Sequence, residues 1–429
     1  LMESKDQMDG AFLQIAAQLA REPNRALALS LMEKLIETRP KDADALFAYA
    51  HLAMRQAQFE IALPALDKAL ALRSDWPEAI LLKSQILALK DGRDKALAYL
   101  EGLVSGDQSD NLEVGLRYAR MLAEARQMEK AYEQFAKLAK RAPDHVDINY
   151  FTGILALQLK KTKEASKYFD RLVKIGRRNI EAHYYLGQVA ELNKDDQEAI
   201  DHYSSVKRGT FYFEAQIRVV ALLADGGRYQ AAKDHLHSIR VVNHKESVRL
   251  QLLEGDLLRE QKKYREAQEF YTAVLDKTPT ETSIRYARAL VAEKLGDLEM
   301  VERDLQDILK VEPNNAQVLN ALGYTLADRT TRYKEALKYI ETAFKLEPDD
   351  AAVVDSLGWV HYRLGNLQQA VDHLRRANEM AKDPEIAAHL GEVLWVMGKK
   401  NAALEVWETS LKENPKHEAL LKVMKRFGL

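Results

Sequence analysis

A small residue returns along this chain at a nearly fixed interval, and that return limits the fold more than any other feature. Aligned on it are Ala28, Ala62, Ala96, Ala131, Ala165, Ala199, Ala231, Ala267, Val301, Ala336, Ala370 and Ala403, at gaps of 34, 34, 35, 34, 34, 32, 36, 34, 35, 34 and 33 residues. Such a period belongs to arrays of one supersecondary unit, each too small to shield its apolar face without neighbours. A single core of 429 residues would be unusually large, whereas an array accounts for the length by growing in one direction.

Each unit reads as two helices. Gly and Pro are sparse, at 19 and 10, and alternating β-branched runs are hard to find, so the chain is expected to be all-helical. Pro40, Pro143, Pro279, Pro313, Pro348 and Pro415 each fall 12 residues after an aligned position, where proline ends one unit and starts the next. Phe135, Phe169, Tyr203, Tyr271 and Trp407 stand four residues after their alanines, on the same helical face. Leu186-Gly187, Leu322-Gly323, Leu357-Gly358 and Leu390-Gly391 occupy the matching place on the first helix, with Gly153 and Gly255 as partial matches. Gly and Ala remove bulk where the two helices cross, and the large residue fills the space beside them.

This pattern resembles the tetratricopeptide repeat (TPR). The resemblance implies an all-α, right-handed superhelical TPR solenoid of about 11–12 helix-turn-helix units, the first beginning near Met8, plus a capping helix. The expected organisation is an N-terminal array over 1–203, an irregular junction or hinge over 204–247, a C-terminal array over 248–415 and the cap over 416–429. The junction is expected because its units lack clean closing prolines, with irregular turns at Arg208 to Thr210 and Val241 to His244. A longer turn is expected within 102–111.

Chemistry finds little footing. Cysteine is absent, which excludes disulfides, thiolate metal sites and cysteine nucleophiles. No HExxH, P-loop, GxSxG or dinucleotide fingerprint appears, and His235 and His237, two apart, point to different sides of a helix. Asp349-Asp350 reads as helix capping. We expect no catalytic residue, no cofactor and no metal. The 63 Lys and Arg balance 65 Asp and Glu, so no global field draws nucleic acid or anionic lipid. No apolar stretch is long enough to span a bilayer, which leaves a cytosolic protein or a mature form that has lost its targeting segment.

One charged stretch stands out. Lys160, Lys161, Lys163, Lys167, Arg171, Lys174, Arg177 and Arg178 face only Glu164 and Asp170, a local net of +6. It can dock an acidic partner or polymer, or be a solvated helix face. Phe211-Tyr212-Phe213 beside Arg208 fits packing at the junction better than base stacking.

In TPR proteins the first helices line a concave face. That resemblance points inward Tyr150, Tyr184 and Gln188, then Asn320, Tyr324, Asp355, Trp359, Tyr362, His389, Glu392 and Trp395, an aromatic and polar mixture suited to peptide contact. Tyr184, Gln188, Tyr286, Leu290, Asn320 and Trp359 stand where TPR co-chaperones carry the basic set that grips a carboxylate tail, which disfavours that function.

The C-terminal strings 319–328 (LNALGYTLAD), 355–365 (DSLGWVHYRLG) and 386–397 (IAAHLGEVLWVM) resemble the proteobacterial outer-membrane TPR lipoproteins, closest to the adaptors of the periplasmic carboxyl-terminal processing protease. This implies a periplasmic protein that meets the outer membrane only through a lipid anchor upstream of Leu1, and that binds the protease, promotes its activity and brings it cell-wall hydrolases. The alternative on the repeats alone is an assembly scaffold or pilotin-like protein of an envelope secretion or polysaccharide machine.

Overall fold

The computed structural model describes residues 25–429, which form twenty-four α-helices and no strand among the described residues. The expected helix near Met8 lies outside the described residues, so α1 (Arg25–Thr38) is the second helix of the first unit. Then follow the pairs α2 (Ala43–Arg55) and α3 (Phe59–Leu72), α4 (Pro77–Lys90) and α5 (Arg93–Ser105), α6 (Leu112–Glu124) and α7 (Met128–Arg141), α8 (Val146–Gln158) and α9 (Thr162–Ile175), α10 (Asn179–Leu192) and α11 (Asp196–Ser205). The series continues with α12 (Tyr212–Asp225) and α13 (Tyr229–Ser238), α14 (His244–Glu260) and α15 (Tyr264–Lys277), α16 (Thr282–Leu295) and α17 (Leu298–Val311), α18 (Ala316–Arg329) and α19 (Tyr333–Leu346). The last pairs are α20 (Ala351–Arg363) with α21 (Leu367–Met380) and α22 (Pro384–Val396) with α23 (Lys400–Glu413), followed by α24 (Glu418–Arg426).

The aligned small residues are the crossing points. Those at Ala28, Ala62, Ala96, Ala131, Ala165, Ala199, Ala267, Ala336, Ala370 and Ala403 are fully buried, and Val301 nearly so. The seventh unit corrects the alignment: Ala231 is exposed and Ala232 takes the buried place, which turns the gaps of 32 and 36 into 33 and 35. First-helix glycines lie under the large residue of the second helix. A Cβ on Gly153 would come 2.8 Å from the Phe169 ring, on Gly358 2.6 Å from Leu374, and on Gly255 and Gly391 it would overlap Tyr271 and Trp407.

Turn chemistry sets the helix starts. Asp350 Oδ1 accepts from the Ala352 and Val353 amides at 2.8 and 3.0 Å, the capping use expected of this acidic pair, whereas Asp349 pairs with Arg376 at 3.1 Å and caps no helix. In the sixth and seventh units the second helices shorten: α11 and α13 have 10 residues and end in extended Val206 and Ile239, both buried. The turn after α5 is long, and Gln108 anchors it by donating to the Ser74 carbonyl at 3.1 Å.

The chain divides into two compact units, one ending at Asp225 and one starting at Gly226. In the second, Arg288 donates to Asp304 through two nitrogens at 2.7 and 2.8 Å, a buried pair joining α16 to α17. Helix α24 buries Leu420 and Val423 against the last pair, and Phe427 packs on Trp395 and Trp407 at ring separations of 5.6 and 6.0 Å.

Candidate partner-binding faces

In the first compact unit, two places recur on the first helices. Fifteen residues before the aligned alanine stand Phe47, Leu81, Leu116, Tyr150 and Tyr184, and eleven before it stand His51, Gln85, Arg120, Ile154 and Gln188. Fifteen and eleven differ by one helical turn, so the two sets lie on one face. Phe47, His51, Leu81, Gln85, Leu116 and Arg120 line a groove of about 670 Å³ across α2, α4 and α6. Arg120 also borders the next cavity, about 550 Å³, floored by Met128, Phe151 and Ile154.

The expected Tyr150 and Tyr184 sit farther along this face. Arg178 covers the Tyr150 ring at 4.5 Å and pairs with Asp147 at 2.9 Å, while Arg120 reaches the same carboxylate at 3.8 Å. Tyr184 stacks on Phe211 at 4.5 Å, which accounts for Phe211 by packing, and Gln188 is half-buried one turn on. The groove residues Phe47, His51, Leu81, Gln85, Leu116 and Arg120 escaped sequence reasoning, which looked for conspicuous rings. Their register against Ala62, Ala96 and Ala131 carried the signal.

In the second compact unit the expected residues meet in one cluster. His389 lies with Nδ1 2.9 Å from Asp355 Oδ2 and Nε2 3.4 Å from the Tyr324 hydroxyl, and its ring stacks on Trp359 at 4.2 Å. Burial pulls the His389 pKa down, but the charge and hydrogen bond of Asp355, with Glu392 and Asp328, outweigh it and raise it above the ordinary value. Burial, then Asp328, Asp355, Glu385 and Glu293, pushes the Tyr324 hydroxyl up, which marks these surroundings as acidic. Trp359 Nε1 and Asn320 Oδ1 are buried with no hydrogen-bond partner, groups that gain from a ligand able to pair with them.

The remaining predicted residues face the cap. Tyr362 donates to Glu392 at 3.1 Å, and its pKa is raised to about 12 by burial and then by that carboxylate. Glu392 also pairs with Arg426, and Trp395 packs against Phe427, so α24 already occupies this end of the face.

The basic residues divide. Lys161 covers Tyr132 at 4.3 Å and Arg178 is engaged with Asp147 and Tyr150, whereas Lys160, Lys163, Lys167, Lys174 and Arg177 are exposed and Arg171 half-buried. Among the described residues no group of three or more His, Asp or Glu gathers as a metal site, and no helix is long and apolar enough to cross a membrane.

Comparison with a protein-family model agrees with this architecture. Residues 116–180, 252–300 and 325–384 match the tetratricopeptide repeat family. A TPR repeat-containing protein of Pseudomonas aeruginosa is 39% identical over 202 residues, 47% of this chain and 34% of that protein, so the match spans about a third of the relative's length. Among solved structures, a thermophilic TPR protein of Thermus thermophilus is similar at 22% identity and TM-score 0.38, over 42% of this chain and 98% of that one. A complex of Naa15/Naa10 bound to HypK-THB is similar at 14% identity and TM-score 0.42, over 90% and 73%. With its period, its buried alanine crossings and its glycine-backed helix pairs, the chain has the all-helical fold of a tetratricopeptide-repeat solenoid and matches that family's model in three stretches.

Proposed function

We propose that this chain is a non-enzymatic adaptor that binds a periplasmic carboxyl-terminal processing protease on its first-helix face, promotes its activity and brings it cell-wall hydrolases. The observation that carries the binding role is the cluster of Asn320, Tyr324, Asp355, Trp359 and His389. Three successive first helices deliver polar and aromatic groups to one place, and two buried polar atoms there have no partner. Large rings bury contact area at small entropic cost, and an array of repeats holds enzyme and substrate on one body at high effective concentration. The protease assignment is supported by the C-terminal strings 319–328, 355–365 and 386–397 and their resemblance to the outer-membrane lipoprotein adaptors. With it goes a periplasmic location at the outer membrane.

The test is cleavage of a cell-wall hydrolase by the purified protease with and without this chain. We expect the chain to accelerate cleavage and Trp359→Ala to weaken that effect. Equal rates with and without the chain would refute the adaptor reading and return the protein to the assembly-scaffold alternative.

A further inference from the structure

The cationic surface of α9 has no part in the peptide-binding reading. Lys163, Lys167, Arg171 and Lys174 follow one another at steps of four, four and three residues, so they share the outward side of the helix. Lys160 and Arg177 flank it in the turns at either end. Among the described residues, none of these six side chains makes an ion pair or hydrogen bond. Asp170 lies within the stripe and pairs with none of them, so the cationic excess stays uncompensated.

The make-up of the stripe narrows its partner. Four of the six cations are lysines, mobile point charges that suit a diffuse anionic layer better than the forked geometry that selects Arg for a single carboxylate. Tyr168 and Phe169 are buried, so the stripe offers no ring for stacking a nucleic-acid base. Clusters of this size on a helix face match anionic lipid headgroups, and with no exposed large apolar side chain in the stripe the contact is adsorption without insertion. We propose that the outward face of α9 is a docking surface for an anionic lipid layer, independent of the first-helix face.

Flotation with vesicles tests this on the whole chain. Vesicles containing phosphatidylglycerol should carry the protein, neutral phosphatidylcholine vesicles should not, and raising the salt should release it. The triple variant Lys163→Glu, Lys167→Glu, Lys174→Glu should lose about a hundredfold in partitioning with its circular dichroism unchanged. The variant Lys334→Glu, Lys338→Glu, Lys345→Glu, at the same spacing on α19, should bind as the parent does. Equal binding to neutral vesicles, equal loss in both variants, or tighter binding to duplex nucleic acid than to anionic vesicles at the same salt would each overturn the proposal.

Discussion

Gly187 of α10 lies beneath the ring of Tyr203 on α11, where an added Cβ would stand 2.6 Å from the ring. The Tyr203 hydroxyl in turn donates to Glu191 at 2.5 Å, so the ring has no room to retreat. Gly187→Ala should therefore cost about 1–3 kcal/mol by overpacking. Gly102, also helical but with nothing near its missing Cβ, is the contrast, and Gly102→Ala should stabilise by about 0.4–1 kcal/mol. Chemical denaturation of both variants checks the pair, and shifts of the same sign would contradict it.

The buried Arg288–Asp304 pair should tolerate loss of both partners better than loss of one. Arg288→Ala leaves a carboxylate with no exposed surface and should cost about 3–5 kcal/mol, tempered by Arg285 at 3.6 Å. Arg288→Met with Asp304→Leu should recover most of that loss. A double variant no more stable than the single one would show that the ion pair itself is required.

The histidines set opposing pH dependences. Burial, then His202 with its Nδ1 3.1 Å away, lowers the pKa of His183 below its ordinary 6.5, and burial does the same for the stacked His361 and His373. Below 6.5 the unfolded chain takes up protons that these folded sites refuse, so their stability is present above that pH and lost as pH falls toward the folded values. His389, raised by Asp355, works the other way: its contribution is present below 6.5 and lost as pH rises through its folded value. Denaturation at pH near 7.5 and 5.5 should show a shallower acid loss in His183→Gln and a steeper one in His389→Gln. Unchanged slopes in both would refute these assignments.

Helix α24 should act as a lid on the apolar end. Phe427→Ala removes the ring that packs on Trp395 and Trp407, and Arg426→Ala leaves buried Glu392 with Tyr362 alone. Together they should quench or shift tryptophan fluorescence before global unfolding in a denaturant titration. Coincident transitions in variant and parent would argue against a separately loosened end.

The fold was legible because each repeat restates the same packing problem. Ala28 through Ala403 mark the crossings, and only the seventh unit slipped, since Ala231 and Ala232 are adjacent alanines that only burial can tell apart. The binding faces were less legible. Tyr324, Trp359 and His389 do meet, but Trp395 and Glu392 turn out to be held by the cap, a contact between helices that no repeat register encodes. In the first compact unit, Phe47 and Leu81 share the phase of Tyr150 yet look like ordinary core residues in isolation.

Hydrogen exchange of the chain with and without the purified protease tests the central claim most directly. Protection on binding should appear among the even-numbered helices from α2 to α22, which carry the first-helix face, with α18, α20 and α22 expected to be among them and sensitive to Trp359→Ala. Protection confined to odd-numbered helices, or none at protease concentrations that saturate any complex, would contradict a binding role for that face.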